Sequence, residues 1–186
     1  MFKRRKKHGF WKNLKEALWP SMGWVRAAQY YRHRIFRTGD SVYKITAGLA
    51  CGVAVAFSPF LGTHLIQTVF LTWLVRGNYI AGIVGSAFGN PWTYPAIFWG
   101  GYELGVNIFG LWGLHDMIAL EGPVTLGDLF DHPLHLLLPL SVGGYLCALA
   151  AWPLAYILLY IPVRLLRHAY LTQRAHRRHQ RQGATA

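Results

Sequence analysis

The sequence predicts an all-α, polytopic integral membrane protein, and three observations carry that expectation. Of its 186 residues, 53% are apolar and only 14% charged. The charges are segregated: twelve Lys/Arg fall up to Lys44, one (Arg76) between Ile45 and Val163, and six from Arg164 onward. Two prolines cut the long apolar stretches in a matching way, at Ser58-Pro59-Phe60-Leu61-Gly62-Thr63-His64 and Gly89-Asn90-Pro91-Trp92-Thr93-Tyr94-Pro95. In hydrocarbon a freed backbone N–H or C=O is costly unless protein or trapped water satisfies it. Broken helices therefore occur at bilayer depth mainly where they line a cavity.

A net charge of +12 would suit nucleic acid if the basic residues were clustered for phosphate contact. Here they sit at both ends of an apolar body, the pattern of the positive-inside rule, and no nucleic-acid partner is expected. The basic run Lys3-Arg4-Arg5-Lys6-Lys7 is not followed directly by an apolar stretch, so it does not read as a cleaved signal peptide. Cys51 and Cys147 lie in apolar segments without CxxC or zinc spacing.

Along the chain, residues 1–40 form a basic amphipathic segment. Trp11, Leu14 and Leu18 make one stripe, and Trp24, Ala28, Tyr31 and Ile35 a second, with arginines opposite. Such helices lie in the headgroup plane, drawn by anionic lipid, although a solvated basic tail shows the same pattern. Residues 41–165 form the membrane domain. Ile45–Phe57 and Thr63–Val75 are each too short to span a 30 Å core, since thirteen residues of helix rise only about 20 Å. They read as a re-entrant hairpin or as two short tilted helices. Residues 79–112 are long enough for one interrupted crossing, and 134–162 form the last apolar block, too long to cross without tilt or kinks at Pro139 or Pro153. Between them, residues 113–133 carry Asp116, Glu121, Asp128 and Asp131 and no Lys or Arg, which marks an outer loop. Residues 166–186 are a basic cytoplasmic tail. Both termini then lie inside, and Gly48/Gly52, Gly85/Gly89 and Gly101/Gly105 allow close helix approach, within the chain or in a homodimer.

Polar residues inside a bilayer face a bundle interior or a wet cavity. A half-helix restarting after a proline break points its positive dipole end inward, and two facing ends suit a phosphate or carboxylate. Pro59, Gly62, Asn90 and Pro91 would shape such a site. Thr63, His64, Asn90 and Thr93 would contact the head group, and Arg76 and Asn78 lie nearby in sequence. His64 could also carry charge near neutral pH. Against this, Asn90 and Thr93 are good caps for the helix that restarts near Pro95, and Thr63 and Gln67 can bond neighbouring carbonyls. His132 and His135 have HxxH spacing, but Pro133 breaks the helical geometry, so no metal is expected. With no P-loop, GxGxxG, HExxH or GxSxG, neither an enzyme centre nor a cofactor is expected.

Taken together, Lys44-Ile45-Thr46-Ala47-Gly48-Leu49-Ala50-Cys51-Gly52, the first break, Arg76-Gly77-Asn78, the Asn-Pro-x-Thr element at Asn90–Thr93 and Tyr102-Glu103-Leu104-Gly105 resemble the bacterial membrane family called domain of unknown function 2062, over about residues 37–165. That resemblance implies a bacterial inner-membrane protein. Some relatives look fused to glycosyltransferase-like domains using polyprenyl-phosphate donors, which points to lipid or lipid-linked sugar handling. The leading expectation is a flippase-like carrier for an anionic membrane lipid or lipid-linked carrier. The alternative is a non-transporting scaffold whose basic ends recruit an envelope enzyme or anionic lipid. A small proton or cation channel using His64 and Glu103 is a third reading, lacking a clear acidic pathway.

Overall fold

The computed structural model describes residues 39–113 and 133–183, together with Ile35. The amphipathic segment and the acidic loop therefore fall almost wholly outside the described residues. The chain divides into two compact units, Met1–Thr38 and Gly39–Ala186. Among its described residues the second unit is helical throughout, with no strand.

Its helices are α1 (Val42–Val55), α2 (His64–Leu74), α3 (Tyr79–Gly85), α4 (Tyr94–Leu111) and α5 (Pro133–Gly183). Short 3-10 turns, Leu61–Thr63 and Ser86–Phe88, precede α2 and follow α3. Ser41 caps α1 by accepting from the Lys44 amide, and Pro59 keeps the chain from continuing as helix beyond its end. Asn78 caps α3 in the same way, its Oδ1 accepting from Ala81 N at 2.8 Å. Its Nδ2 donates to Asp40 and its backbone N–H to Lys44 O, which ties the start of α3 to the start of α1.

These ties settle the directions. The Tyr43 hydroxyl donates to Val75 O at the end of α2, while His64 and Gln67 at its start reach back to Ser58, so α1 and α2 form an antiparallel hairpin. Starting at Lys44 and Asn78, α3 runs alongside α1 in the same direction until Gly89 meets Ala56. Beyond the second break α4 continues away from this layer. It packs against the first turns of α5, with Gly105 on Pro139 and Gly101 by Gly144. The rest of α5 returns along α1. Tyr145 lies at Ser58, Trp152 donates to the Cys51 sulfur at 3.3 Å, and Tyr156 packs on Tyr43.

All three small-residue pairs named from the sequence are used inside the chain. A side chain on Gly48 or Gly52 would strike the backbone of Asn78 or of Gly82 and Ser86, and one on Gly85 the Leu49 carbonyl. A side chain on Gly89 would meet the Tyr94 ring. Backbones this close can pack only through glycine.

The bundle is apolar outside and partly polar within. On α2, Thr68 and Thr72 are fully buried, whereas Leu65, Ile66, Val69, Phe70 and Trp73 are exposed, Ile66 by 73%. On α5, Leu149, Leu154, Ile157, Leu158 and Ile161 are exposed as well. Water would drive these side chains inward, and so large an apolar surface calls for another apolar phase. From Leu134 to His176, α5 is long and apolar enough to cross a membrane, which points to membrane association. It runs unbroken through Pro139, Pro153 and Pro162, so the three prolines locally perturb the helix rather than divide it. It also continues to Gly183, so the basic tail is one helix with the last apolar block.

Thr68 Oγ1 is buried without a hydrogen-bond partner. Replacing that hydroxyl by the isosteric methyl of Thr68→Val is expected to raise stability by about 1 kcal/mol, read as a higher melting temperature in detergent.

Candidate functional site

Both breaks are brought to one place. His64 is the first residue of α2 and Tyr94 the first of α4, and their rings stack with centroids 5.9 Å apart and 18° between planes. The starts of the two restarted helices are therefore neighbours, although thirty residues separate them in sequence.

Ser58 is the hub of the first break and is 1% exposed. Its hydroxyl accepts from Gln67 Nε2 at 3.0 Å and from Phe60 N at 3.4 Å, with Tyr145 OH at 3.5 Å. Gln67 Nε2 donates also to Thr63 Oγ1 at 2.6 Å. His64 Nε2 lies 3.1 Å from Ser58 O, and a carbonyl can only accept, so Nε2 carries the proton. In the neutral ring Nδ1 is then the acceptor for Tyr94 OH at 3.4 Å. The network runs from buried Ser58 through half-buried His64, Gln67 and Tyr94 to exposed Thr63, Phe60 and Tyr145. Its outer edge, at Thr63, Phe60 and Tyr145, lies on the surface.

The second break is built by local bonds. Asn90 Oδ1 accepts from Trp92 N at 2.9 Å and from Thr93 N at 3.1 Å, and Asn90 Nδ2 donates to Phe88 O at 3.3 Å. Thr93 Oγ1 donates to Phe88 O at 2.7 Å and accepts from Asn90 N at 3.0 Å. Pro91 and Trp92 stand on the exposed rim, and Pro95 occupies the first turn of α4, where its missing N–H costs nothing. The capping role weighed for these residues is met only in part: Asn90 closes the turn just ahead of α4, whereas Thr93, at the N-cap position, makes no side-chain bond to α4 and bonds back to Phe88 and Asn90. Asn90 engages the Trp92 and Thr93 amides just ahead of α4 with its side chain and the Tyr94 amide with its carbonyl. These bonds give Thr93 a testable weight. Thr93→Val should destabilise by about 1–2 kcal/mol, since Asn90 N loses its partner and Phe88 O keeps only the longer bond from Asn90 Nδ2, while Thr93→Ser should retain most of the wild-type melting temperature.

Of the residues singled out from the sequence, Pro59, Gly62, Thr63, His64, Asn90, Pro91 and Thr93 gather at this junction, with Gly62 open on every side. Arg76 and Asn78 do not. They lie at the opposite end of α2, beside Lys44, and the fourteen residues of α1 put about 20 Å between the two ends. Tyr145 joins the site although nothing local in the sequence singled it out. A phenol within an apolar block, directly after Gly143-Gly144, is the signal that marks it. Glu103 is exposed on α4, where its carbonyl accepts from Asn107, and no described bond links it to His64. Among the described residues no group of three or more His, Cys, Asp or Glu converges as a metal site would require.

No curated protein and no solved structure matches the chain. Residues 25–171 match the family described as an uncharacterised protein conserved in bacteria (DUF2062), and the chain, with its paired breaks joined at His64 and Tyr94, belongs to that family.

Proposed function

We propose that this chain is a multi-pass protein of the bacterial inner membrane, both ends cytoplasmic, which binds an anionic lipid or lipid-linked carrier by its head group where the two breaks meet. In this reading it also eases passage of that head group across the bilayer. The observation that carries the proposal is the junction itself, a polar network of two interrupted helices inside a body clad in exposed Leu, Ile, Phe and Trp. Sites of this kind, formed by discontinuous helices near the bilayer midplane, are how membrane carriers hold polar cargo. Depth agrees. From the Lys44 end the network lies about 20 Å along α1, against about 15 Å for half a hydrocarbon core.

The exposed edge of the network suits an amphiphile, whose acyl chain stays in lipid while its head group reaches Tyr145. The Tyr145 hydroxyl, which accepts from Ser58 and keeps its own hydrogen free, is a neutral donor for a phosphate, and His64 adds charge when protonated, while Ser58, Gln67 and Tyr94 bond to one another and to His64. Asn90, Pro91, Pro59 and Thr93 act by holding the two breaks in shape. Under this reading the hairpin of α1 and α2 enters and leaves by the cytoplasmic face, α3 with α4 crosses once, and α5 returns.

The test is transbilayer movement of a fluorescent phosphatidylglycerol and of a polyprenyl phosphate in liposomes holding the purified protein. Movement faster than in protein-free liposomes is expected for at least one lipid. His64→Phe, which keeps the stacked ring and removes both nitrogens, is expected to slow it about tenfold or more, the worth of one hydrogen bond to a charged group. No movement above protein-free liposomes from well-folded protein overturns the carrier reading. It would favour the scaffold instead, with the exposed basic stretch of α5 through Arg164, Arg167 and Arg174 as the recruiting surface.

A further inference from the structure

Among the described residues, Arg76 is the one non-glycine with a positive φ, at 53°. It terminates α2 in a Schellman motif: Arg76 N donates to Trp73 O at 3.0 Å and Gly77 N to Thr72 O at 2.8 Å. The left-handed position of that motif is glycine's, because a Cβ crowds the backbone there. Gly77 stands one residue later, so the strain lies in having the side chain at this position rather than in any lack of glycine in the turn.

The side chain has no ion pair among the described residues and is exposed. It is also the single cation between Ile45 and Val163. Its surroundings are specific. Tyr43, whose hydroxyl donates to Val75 O, sits against the same turn. Trp73 and Tyr79 stand three residues to either side, and all three rings are exposed. Lys44 lies at this end, as does Arg167, whose guanidinium donates to Gly39 O at 3.5 Å, and the one described carboxylate there, Asp40, is taken by Asn78 and Lys44. Exposed aromatics beside a cation without an ion pair, with further cations close by, are the marks of the headgroup level of a bilayer.

We infer that Arg76 is a phosphate-binding residue for an anionic phospholipid at the cytoplasmic headgroup level, a site separate from the joined breaks. A planar guanidinium donates two parallel bonds to a phosphate, which an ammonium cannot, and a fixed left-handed turn sets the direction in which it leaves the helix. The site would hold the α1–α2 hairpin at constant depth and so keep the polar junction inside the bilayer. The inference rests on the membrane placement proposed above and not on lipid movement through the breaks.

The experiment is native mass spectrometry of the full chain released from phosphatidylcholine nanodiscs doped with phosphatidylglycerol. It compares wild type with Arg76→Gly, Arg76→Asn and Arg76→Lys, with melting temperatures taken in neutral detergent. Arg76→Gly and Arg76→Asn are expected to retain about fivefold less phosphatidylglycerol, the effect of one cation at an anionic surface, with phosphatidylcholine unchanged. Arg76→Lys should fall between them and wild type. Arg76→Gly should also melt a few degrees higher, since a strained residue is relieved. Binding lost while stability rises is a pair of changes that a purely structural arginine does not produce. Unchanged phosphatidylglycerol retention in Arg76→Gly, or a lower melting temperature, overturns the inference. So does equal stabilisation of wild type by millimolar inorganic phosphate without lipid, which would make free phosphate the ligand. Movement through the breaks is read separately by His64→Phe, so either idea can fail alone.

Discussion

Gly105→Ala should leave little folded protein, a loss of about 3 kcal/mol or more, while Gly100→Ala, five residues earlier on the same helix, should be harmless or slightly stabilising. A Cβ on Gly105 would fall on the backbone carbonyl of Pro139, and no rotamer change relieves a clash with backbone. The helices α4 and α5 would have to separate, and overpacking between rigid backbones is among the costlier single changes. Nothing lies within 4 Å of a Cβ on Gly100, so there the substitution only removes the entropic penalty of glycine in a helix, about 0.5–1 kcal/mol. Gly101→Ala is intermediate, with its nearest neighbour, Gly144 Cα, at 3.5 Å. Melting temperature and monodispersity of the purified protein in detergent rank the three. A tolerated Gly105→Ala would mean that α4 and α5 do not pack through Gly105 and Pro139.

Asn90→Ala should lower stability by about 1–3 kcal/mol and, on the function proposed above, weaken lipid movement through the same defect. One amide side chain binds Trp92 N, Thr93 N and Phe88 O; without it Thr93 N keeps Asn90 O and Phe88 O keeps Thr93 Oγ1, so three bonds go but only Trp92 N is left without a partner. Asn90→Asp keeps the acceptor for both amides and places negative charge at a helix start, which is favourable, but loses the bond to Phe88 O. It should therefore recover part of the stability. The distinction from a ligand contact is measurable: a residue that only met a head group would change movement at constant melting temperature. His64→Phe is the complementary case, since the ring stack on Tyr94 is retained while both nitrogens are lost. The two variants separate the residues that hold the junction in shape from those that offer it hydrogen bonds.

These variants also divide what was legible along the chain from what was not. The helical class, the limits of α1 and α2, and the interruption of the second segment follow from local chemistry. Pro59 and Pro91 each withdraw an N–H where a helix stops, and Asn78 and Ser41 offer oxygens to the amides that follow. The family was equally readable, because Arg76-Gly77-Asn78 and Asn90-Pro91-Trp92-Thr93 are contiguous strings. Gly101 and Gly105 were recognised by their spacing, but spacing names no partner. Only the fold assigned Gly105 to Pro139 and Gly52 to Gly82 within the same chain.

The sequence by itself determined the helical, strongly apolar character of this protein, its basic ends and its two breaks, since each depends on residue type and on neighbours within a turn or two. The tertiary structure decided that the breaks meet through His64 and Tyr94, that Tyr145 completes the network from α5, and that Arg76 stands about 20 Å away at the opposite end. It also decided that Asn90 and Thr93 hydrogen-bond to the backbone of the second break. The physical reason is range. Propensity, capping and proline geometry act over three or four residues, whereas contacts between residues thirty or eighty-seven apart depend on how whole helices pack.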